Sequence, residues 1–123
     1  ATAALLARLP ADGWWIRYNR AQPGSSADLD AVLVSPCGTA VVVLDTKGWA
    51  RNWRTRLVAG RVHCGPEDRH EQVEKVAQYA ARVTAALRLP GVAVWPLLVV
   101  HGSPVANGYL TVRTEAWRGP TYV

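Results

Sequence analysis

Asp28-Leu29-Asp30-Ala31-Val32-Leu33-Val34, Ser35-Pro36-Cys37-Gly38 and Thr39-Ala40-Val41-Val42-Val43-Leu44-Asp45-Thr46-Lys47 form the stretch that decides the fold. Two apolar runs rich in β-branched residues flank a turn containing Pro and Gly, the pattern of a β-hairpin. Closed symmetrically about Cys37-Gly38, the hairpin pairs Ser35 with Ala40, Val34 with Val41, Asp30 with Asp45 and Asp28 with Lys47. Side chains alternate along a strand, so this register gathers acids and a lysine on one face, with opposed Cβ atoms about 5 Å apart.

Two carboxylates so close repel unless a cation or a proton lies between them. A hard divalent ion takes one or two carboxylates plus waters, and a lysine beside it can serve an attacking water or developing phosphate charge. That is the equipment of a phosphodiesterase. Taken alone, the short pattern is equally well described by a cross-strand ion pair of Asp30 with Lys47, leaving Asp45 solvated. What favours the site is the setting: an uncompensated carboxylate inside such apolar runs costs several kcal/mol.

Half of the 123 residues are hydrophobic and 19% are charged, enough for one soluble domain with a single core spanning 1–123. No apolar run reaches the roughly 20 residues of a membrane span. Ala1 to Leu9 lacks the charged start and long apolar centre of a signal peptide, so a cytoplasmic domain without membrane contact is expected. The chain contains no methionine and reads as a domain excised from a longer protein. A net charge of +5, with arginine outnumbering lysine twelve to two, suits a polyanionic partner, although charge alone is not specific. Cys37 and Cys64 are read as free thiols. His63, Cys64 and His70 match no common zinc spacing.

Around the hairpin we expect a helix ending at Leu9, a strand over Trp14–Tyr18, and a small-residue loop from Ala21 to Ala27 whose Ser25 and Ser26 let a phosphate backbone approach. A second hairpin, Asn52–Leu57 and Val58–Cys64, is placed on the same sheet and carries Arg51, Arg54, Arg56 and Arg61 near or within it. A long helix from about Glu67 to Leu89 follows, stopped by Pro90-Gly91, then a central strand Val94–His101 and a strand towards an edge, Tyr109–Thr114. The element order argues for a mixed sheet flanked by helices.

With these residues, the chain resembles the PD-(D/E)xK nuclease superfamily, restriction-endonuclease-like in fold. Within it the chain is most similar to the nuclease-related domain, NERD. The likeness rests on Asp30, Asp45-Thr46-Lys47, Leu5-Leu6-Ala7-Arg8-Leu9-Pro10, Ser35-Pro36-Cys37-Gly38, Lys47-Gly48-Trp49 and Gln72. It implies that Asp30, Asp45 and the Thr46 carbonyl hold Mg²⁺ or Mn²⁺, that Lys47 serves the nucleophilic water, and that Gln72 projects towards the same centre. It implies a metal-dependent nuclease acting on DNA, RNA not being excluded; apart from the resemblance, Arg51, Arg54 and Arg56 are expected on the nucleic acid. Cutting both strands of a duplex would call for a homodimer. Against this, no glutamate precedes Asp12, Asp68-Arg69 stands where the family tends to have Asn-Pro, and Asp45 replaces the commoner glutamate. These departures keep open a catalytically weak nucleic-acid-binding module within a larger protein. For Trp49 and Trp53, packing is the favoured role over base stacking.

Overall fold

In the computed structural model, which describes residues 6–21 and 28–123, three strands form an antiparallel meander: β1 (Trp15–Ala21), β2 (Asp28–Val34) and β3 (Ala40–Gly48). The register of β2 on β3 is the expected one, with Val34 opposite Val41 and Ala31 opposite Leu44. Ser35 N–H donates to the Ala40 carbonyl at 2.9 Å, and Gly38 closes the turn at φ 73°, a conformation glycine adopts without penalty. The leading helix and the small-residue loop with Ser25 and Ser26 fall largely or wholly outside the described residues. Leu9–Asp12 forms a short 3₁₀ turn ended by Gly13.

β3 is also hydrogen-bonded, in parallel, to β7 (Ala93–His101) along its whole length, from Ala40 opposite Ala93 to Gly48 opposite His101. A parallel neighbour requires a crossover, supplied by the helix α1 (His70–Leu87). Beyond β7 lie β9 (Thr121–Tyr122) and, at the edge, β8 (Thr111–Val112), giving the order β1-β2-β3-β7-β9-β8. The edge position of β8 agrees with the sequence. β9 was not foreseen, since two residues carry no readable periodicity.

The second hairpin departs from expectation. β4 (Thr55–Val58) and β5 (Arg61–Cys64) join β6 (Glu67–Asp68) in a separate three-stranded sheet. β3 already has a hydrogen-bonded neighbour on each side, so the hairpin that follows it finds no free edge there. Glu67 and Asp68 extend as β6 instead of opening the helix, because Asp68 is claimed by Arg61 Nε at 2.6 Å and accepts from the His70 amide at 2.9 Å. These bonds hold the Asp68 carboxyl down at about 2 and make it the device that starts the helix one turn later. At the other end Arg88, left-handed at φ 51°, caps the helix before Pro90.

α1 lies on one face of the large sheet, where Ala80 and Val83 pack on Val41, Val43 and Val94. Towards the ends of β3 and β7 this core continues through Val73, Val76, Leu98, Trp49, Val62 and Cys64, which ties the small sheet to the large one. The opposite face is covered over β1 to β3 by Leu6, Leu9 and Trp14 against Ile16, Ala31, Leu33 and Leu44. A mixed central sheet flanked by a helix and a smaller sheet is a restriction-endonuclease-like α/β arrangement. Among the described residues no helix is long and apolar enough to cross a membrane.

Candidate active site

Val41 and Val43 point to α1, so by alternation Asp45 and Lys47 lie on that same face, further along β3, where it runs out beside β7. The regular ladder between β2 and β3 stops at Ala31 opposite Leu44. In an antiparallel pair the hydrogen-bonded partners alternate, and the next bond of the Thr46 amide would go to Leu29. Instead that amide donates to Asp30 Oδ2 at 2.7 Å, and the Thr46 hydroxyl donates to the same oxygen. The Asp30 carboxylate therefore replaces the ladder and opens the hairpin at the acids. Thr46 C=O leaves the strand on the same side as its N–H, towards this opening.

Asp45 is buried at 7% exposure, and its Oδ2 lies 3.2 Å from Lys47 Nζ. This overturns the simple ion-pair reading: the lysine partner is Asp45 rather than Asp30, and Asp45 is not solvated. Burial raises the Asp45 pKa against the pull of Lys47, and a hydrogen bond from its carboxyl to Asp30 raises it further. For Asp30, burial also pushes upward, but the Thr46 hydroxyl and amide, the bond from Asp45 and the Lys47 charge together lower it. Burial thus pushes the Asp45 carboxyl up while Thr46 and Lys47 draw the Asp30 carboxyl down, so the opposed pair is shifted in opposite directions.

Gln72, in the first turn of α1, accepts a 3.0 Å hydrogen bond from the Trp49 indole at its Oε1. Trp49 itself is core, 7% exposed, and Trp53 packs half-buried against it. Packing is thus the observed role of both tryptophans. The arrangement carries Gln72 to the exit of β3 and leaves its amide N–H₂ as the donor end. Sequence reasoning named Gln72 but missed both its tryptophan partner and the hydroxyl service of Thr46 to Asp30. The second had a signal, a hydroxyl residue between the acid and the lysine.

Arg51 and Arg54 are exposed, and Arg56 donates to the Gly65 carbonyl at 3.2 Å. Both cysteines are free, Cys37 in the exposed turn and Cys64 in the core. His70 Nδ1 accepts from the Val62 amide at 3.2 Å, and His63 lies 3.7 Å from Asp68. Among the described residues, no three His, Cys, Asp or Glu side chains converge as a metal-binding group.

The family model of the nuclease-related domain matches residues 1–101. The chain belongs to that family. No curated protein and no solved structure matches it. Within this NERD domain the hairpin with Asp30 and Asp45-Thr46-Lys47, α1 with Gln72 and strand β7 all lie inside the matched span. The β8 and β9 edge lies beyond it.

The raised Asp45 has a measurable consequence. A carboxyl whose folded pKa exceeds its unfolded value contributes stability below the unfolded value and loses it as pH rises through the folded one, so at neutral pH Asp45 is a cost. Asp30 has the opposite sign: its contribution is present above the unfolded value and is lost as pH falls through the folded one. Asp45→Asn is therefore expected to raise Tm near pH 7.5, the lost contact to half-exposed Lys47 being worth little. The gain should disappear near pH 4. Thermal melts at the two pH values check it, and an equal shift at both would refute the raised Asp45 carboxyl.

Proposed function

We propose that this NERD domain is a nucleic-acid-binding module built on a nuclease frame, with a catalytically weak carboxylate and lysine centre. The observation that carries this reading is that the centre is internally satisfied. Asp30 is occupied by Thr46, Asp45 by Lys47 and by Asp30, and no third acidic or imidazole ligand joins them among the described residues. A net charge of +5 supports a polyanionic partner, and DNA is the partner this family reading favours, RNA being a second candidate. A cytoplasmic placement accompanies the proposal.

The second reading is metal-dependent hydrolysis of DNA phosphodiester bonds, and it has its own support. Asp30, Asp45 and the Thr46 carbonyl form an all-oxygen donor set at an opened hairpin, which fits Mg²⁺ or Mn²⁺, and these three would hold the ion. When bound, such an ion supplies positive charge that polarises a phosphoryl oxygen. Lys47, half-exposed beside Asp45, is placed to stabilise charge developing on a phosphate, and Thr46 keeps Asp30 ionised and oriented. Gln72 presents amide hydrogens at the same strand exit.

Cleavage of plasmid and single-stranded DNA with Mg²⁺ or Mn²⁺, against EDTA and Lys47→Ala, separates the readings. Salt-sensitive binding with little or no cutting is the expected result. Efficient metal-dependent cutting that falls about 10²- to 10³-fold in Lys47→Ala would establish the hydrolase instead. Failure to bind any nucleic acid would refute both.

A further inference from the structure

One segment of the chain gathers basic residues beside the carboxylate and lysine centre. Between Thr46 and Pro66 there are five basic residues, Lys47, Arg51, Arg54, Arg56 and Arg61, and no Asp or Glu. Elsewhere the nine basic residues equal the nine acids in number. The segment begins at the lysine of the centre and runs out through β4 and β5. Within it Lys47 is paired with Asp45, and Arg61 with Asp68 across to β6. Among the described residues Arg51, Arg54 and Arg56 are in no salt bridge, and all three are exposed.

These arginines stand on a segment that the fold holds firmly. Thr55, fully buried between Arg54 and Arg56, donates its amide to the Pro104 carbonyl at 2.8 Å and hydrogen-bonds through its hydroxyl to Ser103 Oγ at 2.7 Å. Ser103 Oγ donates in turn to the Trp53 carbonyl at 2.5 Å, and the Gly65 amide donates to the Arg54 carbonyl at 3.0 Å. Gly65 is required there, since a Cβ would stand 2.5 Å from the Trp53 ring. The ridge is thus tied to the loop after β7, beside the strand exits where Lys47 and Gln72 lie. Cations on an ordered backbone pay less ordering entropy when a ligand binds.

We propose that Arg51, Arg54 and Arg56 form a preorganised track for the sugar-phosphate backbone of a nucleic acid, leading to Asp30, Asp45 and Lys47. This inference rests on the nucleic-acid reading above and specifies where the strand runs. Arginine forks match phosphate oxygens bidentately, and a track that starts at a carboxylate and lysine centre favours a phosphodiester chain over an anionic membrane surface. Contacts to phosphate carry no sequence information, so binding through the track is insensitive to sequence and strongly salt-dependent.

The test is fluorescence anisotropy of labelled single-stranded and duplex 20-mers over a salt series. The wild-type chain is compared with R51A/R54A/R56A and with the charge-matched control R8A/R113A/R118A. The ridge variant should bind about 10- to 100-fold more weakly at 0.1 M salt, with the slope of log affinity on log salt reduced by about two to three; the control should lose far less. R51A/R54A, which keeps the Arg56 bond to Gly65, carries the test if the triple variant fails to fold, with a slope reduced by about one to two. Equal losses in ridge and control variants, or wild-type behaviour of the ridge variants, would overturn the track while leaving nucleic-acid binding in place. Wild-type binding to phosphatidylserine vesicles but to neither 20-mer would overturn both.

Discussion

Gly102→Ala is expected to destabilise the domain by about 3 kcal/mol or more and to lower Tm by about 10 °C. Gly102 follows β7 at φ 96°, a conformation L side chains rarely adopt, and a Cβ there would stand 2.5 Å from the Trp49 carbonyl oxygen. That oxygen is backbone and cannot swing aside. Trp49 also donates its amide to the His101 carbonyl at 3.0 Å, so the crossing of the β3 and β7 exits is held from both sides. Relief of the clash must move Trp49, and with it the indole bond to Gln72 and the start of the arginine ridge. Gly48→Ala is the control, because a Cβ at Gly48 meets nothing within 4 Å. Thermal melts followed by tryptophan fluorescence check the pair; a Tm for Gly102→Ala within about 3 °C of Gly48→Ala would contradict the close approach.

Leu98→Ala should cost about 3 kcal/mol, within the usual range for a fully buried leucine, and so remove a large part of a stability that for most domains is about 5–15 kcal/mol. Its effect should extend to the site. Leu98 sits opposite Asp45 in the parallel register and belongs to the core that includes Trp49, Val73 and Val76. Truncation opens a void on the apolar side of Asp45. Water entering there would relieve the burial that raises the Asp45 carboxyl, and its titration, followed by carboxyl NMR, should move back towards the ordinary range. Urea melts give the stability change. Loss of stability with the Asp45 titration unmoved would show that burial from the β7 side is not what raises it.

Much of the site was legible because hairpin arithmetic is local. Once Pro36-Cys37-Gly38 is read as the turn, the side-chain period of two and the antiparallel register bring Asp30 and Asp45 together without further information. The helical spacing of Val73, Val76, Ala77, Ala80 and Val83 likewise marks the face of α1 that is buried, whereas Leu87, in the same spacing near the helix end, is exposed. The helix begins at His70 rather than near Glu67 because Asp68 has a specific partner, Arg61, on a neighbouring strand. The second hairpin was recognised as a hairpin but assigned to the wrong sheet, since strand propensity says nothing about which edges remain free.

What the sequence by itself determined was therefore the hairpin, its register, the convergence of two carboxylates with a lysine, the long helix and the family. Each follows from periodicities and turn chemistry that act over a few residues. Tertiary structure alone decided that Lys47 pairs with Asp45, that Thr46 displaces the ladder to bind Asp30, that burial pushes the Asp45 carboxyl up, and that Trp49 holds Gln72. The physical reason is that burial and hydrogen-bond competition depend on what packs across the strand exits. Leu98 and the loop at Ser103, from β7 and just after it, and the first turn of α1 meet there, all far along the chain from Asp45.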